Sequence, residues 1–437
     1  MIDMICIYAP FRAETYGYTG ADKIKIESGL YDQTARLKVF DFIEICKKCG
    51  ISPNAYGLSF DFEDGVEKVS VTGLNAPFEQ LESSFSGIAL KINHAPTIGT
   101  PHIVLKASPA KLLLGHNIFG YDDIQSGVVI MLYTLIKTYP FLAQYIDFNQ
   151  AEIRQLDINY SFRMKSKEDC LYLLDYLQNV SYKQTKANEL ESNRFKETIY
   201  FGNKNSKHKF IRMYYKHDEV IKTLQSKNKQ HLNNVTKHQI SVLSNPELIE
   251  FSKNLLRVEA ALRKVWIEKK FGSTLLSVVL ARNDIVICDL WMDAMSDLFK
   301  AVGDVTLKNQ SDESVREKIN KMFVTYNKKT GKESFANANN IYAFYRLIIS
   351  DGYKSVQDTT SKATFYRRIS DLESIGISRA QLQNYKSLDS NSRNIIPFVK
   401  IIDLSNVVHA PVPMPNYLQN LDSDILDIVS TIIKKAV

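Results

Sequence analysis

The sequence predicts an α+β protein: an antiparallel sheet carrying helices on one face, followed by a mainly helical C-terminal part. Three observations carry that expectation. Residues 210–216, 155–162 and 255–263 alternate apolar and polar side chains, the period-2 pattern of strands with two unlike faces. Between them lie stretches whose apolar residues recur three and four apart, the period of an amphipathic helix. Beyond about residue 280 the alternation stops and helical periodicity takes over.

Taken in order, MIDMICIYAPF (1–11) reads as a strand, residues 34–50 as a helix ending at Gly50, and residues 66–74 as a strand before Asn75 and Pro77. Nothing in 1–95 has the spacing of a catalytic motif, so this part is expected to buttress the region that follows or to hold DNA. PHIVLKAS (101–108) is a strand, and PAKLLLGHNIFG (109–120) a loop or short helix carrying Gly115-His116-Asn117. Asp122 is expected to cap the next helix, whose Ile124, Val128, Leu132, Leu135 and Ile136 lie on one stripe. A strand over 153–162 and a helix over 167–180 follow. Residues 196–202 and 209–216 then pair as a hairpin around the turn GNKNSK. Helices over 218–227 and 245–255 lead to a strand from Leu255 that runs on into a helix. This β-α-β-β-α-β order builds an antiparallel sheet with helices on one face and leaves the other open for a ligand.

The C-terminal part reads as an amphipathic helix over 289–303, a Lys-rich linker over 325–339, and three helices over 341–352, 354–359 and 361–376 in a helix-turn-helix pattern. Ser361 caps the last of these. Phe365, Ile369 and Leu372 point inward, and Lys362, Arg367 and Arg368 outward. Residues 395–405 read as a wing strand and 418–437 as an amphipathic helix with no evident chemistry.

Composition excludes several classes. With 45% hydrophobic and 24% charged residues, the 437-residue chain has the make-up of a soluble globular protein of two or three domains. No run of about 18 apolar residues predicts a membrane helix, and the first residues lack the features of a signal peptide. Five cysteines, an odd count, fit a reducing compartment without a disulfide framework, so a cytosolic protein is expected. Cys46 and Cys49 form a CxxC, but no partner pair follows at zinc spacing, and they read as structural.

Net charge is +7 and unevenly spread: residues 181–240 hold 13 Lys and Arg against 5 Asp and Glu, with His208, His217, His231 and His238 in the same window. Basic residues interleaved with aromatics are the footprint of a polyanion, most often nucleic acid. Within this window Phe210, Arg212, Tyr214 and Lys216 share one strand face, and Ile211, Met213 and Tyr215 the other. A phenol between two cations is expected to ionise more easily and to lie where a phosphate is drawn. Lys209 and His208 join Arg212 as candidate contacts to nucleic acid. On neighbouring strands Asp157 and Glu259 point to the same open face. With His116 they make a ligand set for Mg²⁺ or Mn²⁺ beside a nucleophile. Ion pairs with Arg154 or Arg257 are the ordinary reading of the same two carboxylates.

The segments MIDM, SGIALKI, KASPAKLLLGHNIFG, RQLD, QTK, YYKHDE, LSNPELIEF, LLRVEAALRK, DLW and FYRRIS resemble their counterparts in the replication initiators of filamentous bacteriophages, the gene II protein family. The likeness spans nearly the whole chain, and KASPAK…GHN.FG together with Y.KH.E is its specific part. It implies a sequence-specific nicking-closing endonuclease for rolling-circle DNA replication, distantly similar to HUH-type endonucleases with their ferredoxin-like sheet. It further implies that residues 1–95 pack on a nicking domain over 96–275, with a DNA-binding domain over 276–437. Its implied partners are phage origin DNA, duplex and single-stranded, a host helicase and a single-strand-binding protein. Assembly on DNA in the bacterial host cytoplasm, with no membrane, completes the set. By position the family's nucleophile falls on Tyr214, not Tyr215; its Gly-His-Asn falls on His116 and Asn117, and its acidic strand residues on Asp157 and Glu259. The chain departs from HUH enzymes in having no His-hydrophobic-His pair and in carrying its tyrosine on a strand.

The expected mechanism is attack by Tyr214 on a phosphodiester polarised by a metal on Asp157, Glu259 and His116. Lys216 and Arg212 steady the phenolate and phosphate, and His217 shuttles a proton. A non-enzymatic DNA-binding replication protein and a metal-dependent nuclease using water are the alternatives.

Overall fold

A computed structural model describes residues 1–13, 54–63, 66–75, 87–93, 100–182, 185–186, 197–203, 205–228, 234–282, 284–302, 312–327 and 330–388. The expected helix over 34–50, the Cys46/Cys49 pair, the wing strand over 395–405 and the helix over 418–437 lie outside these residues.

Nine strands join one sheet: β1 Ile2–Pro10, β2 Asn54–Glu63, β3 Val66–Asn75, β4 Ala89–Asn93, β5 His102–Ala107, β6 Glu152–Arg163, β7 Thr198–Phe201, β8 Lys209–Tyr215 and β9 Leu255–Arg263. Their spatial order is β2-β3-β4-β5-β1-β6-β9-β8-β7, and every neighbouring pair is antiparallel. The expected β-α-β-β-α-β segment supplies the β6-β9-β8-β7 end, including the hairpin between β7 and β8. The first strand is not peripheral. β1 lies in the middle of the sheet between β5 and β6, so residues expected to pack on the nicking domain from outside begin inside its sheet.

Helices form where the apolar period changes from two to three and four. They include α1 Pro109–Leu114, α2 Ile124–Thr138, α3 Lys167–Gln178, α4 Lys216–Asn228, α5 Asn234–Leu243, α6 Pro246–Ser252, α7 Lys264–Phe271 and α8 Ile287–Val302. The cap of α2 is Asp123, whose carboxylate accepts from Gln125 N and Ser126 N. Asp122, expected in that role, instead accepts from the Tyr160 hydroxyl. Helix α2 lies close on β1 because Gly127 has no side chain: a Cβ there would stand 2.9 Å from Ile5 Cδ1.

The apolar sheet face is covered by α2, α3 and α8 in one continuous core. Trp291 of α8 is fully buried edge-on to Tyr160 and donates from Nε1 to Val258 O at 3.2 Å. Helix α8 therefore belongs to the sheet domain, and the expected boundary at residue 276 is corrected to beyond Val302. The opposite face is not open at the β8–β9 end. Ile118, Val220, Leu243, Leu248 and Leu255 form a second small core, with which α4, α5, α6 and the loop after Gly115 cover part of that face.

Beyond it, α9 Asp312–Phe323, α10 Ala336–Asp351, α11 Tyr353–Thr359, α12 Lys362–Ser374 and α13 Arg379–Leu388 form a helical bundle with its own core, including Phe365, Ile369 and Leu372. Ser361 caps α12 as expected. Within the expected linker, Thr325–Tyr326 pairs with Glu333–Ser334 in a short hairpin. Asn384 accepts from Asn179 Nδ2 at 2.9 Å, and Gln383 accepts from Ser181 N at 3.0 Å, tying α13 to the sheet domain. Among the described residues no helix is long and apolar enough to cross a membrane.

Trp291→Ala is expected to lower unfolding free energy by about 3–5 kcal/mol, the usual cost of emptying a large aromatic site. Urea denaturation checks it, and a loss under about 1 kcal/mol would place Trp291 outside the core.

Candidate active site

Register sets the site. Arg212 lies opposite Glu259, which lies opposite Asn159; one row along, Tyr214 lies opposite Arg257, which lies opposite Ser161. Residues directly opposite in an antiparallel pair share a face, so the alternation read from the sequence holds: Arg212, Tyr214, Glu259 and Asp157 stand on one side. A register shift between Ile2 and Met4 in the β1–β6 ladder frees Asp3 from pairing, and its carboxylate lies 4.0 Å from Arg257 and 3.7 Å from Arg212.

Tyr214 donates its hydroxyl to Glu259 Oε1 at 2.6 Å. The other oxygen, Oε2, accepts from Arg212 Nε. Arg212 Nη2 also lies 3.5 Å from Asp157 Oδ2, so one guanidinium faces three carboxylates. Arg257 is fully buried, with Nη1 donating to Asn117 O and Nη2 to Ile118 O, both at 2.6 Å, and Nε to Ser161. It thereby fixes the Gly-His-Asn loop against the sheet. The Asn117 side chain continues the network, donating to Asp3 at 2.6 Å and accepting from Lys216 Nζ at 2.8 Å; Lys216 also pairs with Glu219.

Burial and charge set the proton affinities. Burial, and next the neighbouring Glu259, raise the Tyr214 phenol well above its ordinary value. The expectation that flanking cations make it more acidic is thus overturned, because a lost proton would leave two anions facing each other in a dry site. Burial pushes Asp157 up to about 6 despite Arg212. Burial pulls Lys216 down to about 8 against the pull of Glu219. Burial works against ionised Asp3 too, but Arg257 and Arg212 outweigh it and hold its carboxyl below the usual range.

Other expected members lie elsewhere. His217 turns away at the start of α4, with Nδ1 2.8 Å from Ser252 Oγ. Tyr215 packs in the apolar core, its hydroxyl accepting from Asn254 N. Lys209 donates to Ala294 O at 2.6 Å on the far face, bracing α8, and is not a nucleic-acid contact of the Tyr214 face. His208 is exposed at the edge of the hairpin, and Lys362 and Arg367 are exposed on α12. Arg368 is tied to Asn337 at 3.1 Å and to Asp371 at 3.3 Å.

His116 does not fit a metal. Its Nδ1 accepts from Ile118 N at 3.2 Å, so the neutral ring carries its proton on Nε2 and neither nitrogen offers a free lone pair. Burial, then Lys216 and Arg257, push it down to about 4, so the ring is neutral near pH 7. Among the described residues no group of three His, Cys, Asp or Glu forms a ready metal site; Asp157 and Glu259 converge on Arg212, not on His116.

Four members were not singled out by the alternation: Asp3, Asn117 as a bridge, Asn159 and Glu219. The Lys216–Glu219 spacing of three on a helix was the readable signal for the last.

The fold and site define an α+β protein that sets a tyrosine–carboxylate–guanidinium cluster, its carboxylates buried, on one face of an antiparallel sheet. Residues 1–282 match the family model for the N-terminal part of the phage replication-associated protein, the gene II protein, and residues 328–417 match the model for its C-terminal part. The chain belongs to this family of replication-associated proteins. It is 31% identical over 417 residues to the replication-associated proteins of Enterobacteria phages M13 and fd, covering 92% of this chain and 96% of theirs. To that of Salmonella phage IKe it is 30% identical over 415 residues, 92% of this chain and 93% of the relative. No solved structure matches.

Because folded His116 stays neutral down to about pH 4 while an unfolded histidine titrates near 6.5, the unfolded chain binds the extra proton. Stability contributed here is lost as pH falls from 6.5 toward 4. His116→Gln is expected to reduce that acid-side loss by on the order of 3 kcal/mol. Urea titrations at pH 6.5 and 4 check this, and parallel losses in both proteins would contradict it.

Proposed function

We propose that this chain is a phage replication initiator that nicks and rejoins origin DNA through a covalent intermediate on Tyr214. The observation that carries the reading is the 2.6 Å hydrogen bond from the Tyr214 hydroxyl to Glu259. A phenol whose proton affinity is raised is a poor nucleophile until a base takes the proton during attack, and Glu259 stands in that place.

In the step proposed, Tyr214 Oη bonds to the scissile phosphorus as its proton passes to Glu259. The bond from phosphorus to the 3′ oxygen breaks, and that oxygen leaves toward solvent and takes a proton from water. The product is a 5′-phosphotyrosine and a free 3′-hydroxyl. Because one phosphodiester replaces another, a later 3′-hydroxyl can attack the phosphotyrosine and reclaim the bond, its own proton passing to water while the proton on Glu259 returns to the departing Tyr214 oxygen. Arg212, with a 36% exposed side chain, sits where it can meet a phosphate oxygen. Lys216 holds the Asn117 loop and adds positive charge 5.9 Å from the Tyr214 ring. A Mg²⁺ or Mn²⁺ ion, held by Asp157 and Glu259 without His116, would polarise the scissile phosphate when bound.

Exposed Lys362 and Arg367 on α12 suit phosphate contacts to duplex origin DNA, and His208 a contact near the nick. A host helicase and single-strand-binding protein follow from the reaction, since a nick neither unwinds nor protects a strand. Action in the bacterial host cytoplasm and assembly of several copies at the origin belong to the same reading.

The test is incubation with supercoiled origin DNA and Mg²⁺ or Mn²⁺, followed by a denaturing gel. Tyr214→Phe is expected to abolish the protein–DNA adduct, Tyr215→Phe to retain it, and Glu259→Gln to slow its formation by about 10²–10⁴-fold. Nicking without an adduct would replace tyrosine by water; binding without either product would make the chain an origin-binding protein only. The rate is also expected to fall above about pH 8 as Lys216 loses its charge, with Lys216→Arg moving that limb upward. An unmoved limb would remove Lys216 from the step.

A further inference from the structure

We infer that Tyr200, braced by Phe210, is a stacking platform for one unpaired nucleobase beside the scissile phosphate, so that the site takes a melted strand in preference to a duplex. The inference deepens the proposed nicking function and rests on that reading for the identity of the DNA, although stacking itself is measured without cleavage.

Register puts the ring beside the nucleophile. Tyr200 of β7 lies directly opposite Arg212, and Thr198 directly opposite Tyr214. Tyr200 therefore shares the Arg212–Tyr214 face, while its neighbours Ile199 and Phe201 are buried in the main core. β7 is an edge strand of the sheet. The rows of Tyr200 and Tyr214 are two residues apart along the strands, about 7 Å, a span that one nucleotide bridges.

The ring is also held and presented. Tyr200 and Phe210 stack with centroids 5.6 Å apart and planes 20° from parallel. Phe210 is buried and Tyr200 partly exposed, so Phe210 is the fixed end of the pair and Tyr200 its outer member. Toward Tyr214, the next residue of β7 on this face is the small, partly exposed Thr198. A diagonal aromatic pair steadies a hairpin in its own right; its place one row from Tyr214 is what gives it a further use.

Charge decides which part of a nucleotide fits. Asp3, Asp157 and Glu259 already face Arg212, the residue across from Tyr200, so this row has little positive charge to spare for a second phosphate. A nucleobase is uncharged, and every base has a π-face that stacks on an aromatic ring. Paired bases keep those faces inside the duplex, so a melted strand is the form that offers one. Exposed Lys207, just before β8, is placed for the phosphate of a flanking nucleotide.

The test uses the full chain and single-stranded oligonucleotides spanning the origin nick, with EDTA to prevent cleavage and 2-aminopurine placed in turn at each position flanking the nick. Fluorescence is expected to be quenched at the one position adjoining the scissile phosphate. An abasic residue there is expected to weaken binding by about 5- to 150-fold. Tyr200→Leu is expected to lose the quench and weaken binding as much, with no further loss when variant and abasic strand are combined. Tyr200→Phe and Tyr200→Trp are expected to keep the quench. Should Tyr200→Leu melt early, Tyr200→Val, a better strand former, takes its place. No quenched position, a quench that survives Tyr200→Leu or is lost in Tyr200→Phe, losses that add, or equal affinity for the matching duplex would overturn the inference. Stacking as expected in a protein that forms no adduct would uphold the platform and sink the nicking function; adduct formation with additive losses would do the reverse.

Discussion

Glu259 is shared between two donors: its Oε1 accepts from the Tyr214 hydroxyl at 2.6 Å, and its Oε2 accepts from the Arg212 guanidinium. Both partners come from β8, two residues apart, and the carboxylate comes from the adjoining β9, so sheet register alone brings them together. In a site shielded from water these interactions are strong and their loss is costly. The remaining buried charges follow from the same arrangement: Asp157 and Asp3 offset Arg212, and Arg257 offsets Asp3 while gripping the Gly-His-Asn loop.

The sheet is built to hold this cluster. β1 runs through its centre and the shifted register after Ile2 aims Asp3 into the charged row. Behind the row, Trp291 and the apolar side chains of β6 and β9 make a rigid floor. In front, α4–α6 and the loop after Gly115 close one end and leave Arg212 and Tyr214 half-exposed. Under the proposed function, a tyrosine whose ionisation is suppressed at rest suits an enzyme that must not cut until DNA is seated.

Much of this was legible in the sequence, and the exceptions have physical causes. Alternation placed Tyr214, Asp157 and Glu259 on one face because two unlike faces demand it. The same alternation puts Lys209 in phase with Ile211 and Met213, and so on the α8 side, which a tally of basic residues overlooks. His217 was misplaced because the chain changes from strand to helix at Lys216, so the period-2 phase ends there. The acidity of Tyr214 was misjudged from its strand neighbours, while burial and the cross-strand Glu259 decide it; cross-strand register is set by long-range pairing. Asp3 sits alone in an apolar strand and gives no local signal that the strand is central.

The most direct measurement is peptide mapping by mass spectrometry of the covalent complex formed on origin DNA after nuclease trimming. The account predicts a nucleotide 5′-phosphate on the peptide containing Tyr214–Tyr215, with fragment ions placing it on Tyr214. A nucleotide on Tyr215 or on any other residue, or cleaved DNA with no modified peptide, would contradict it.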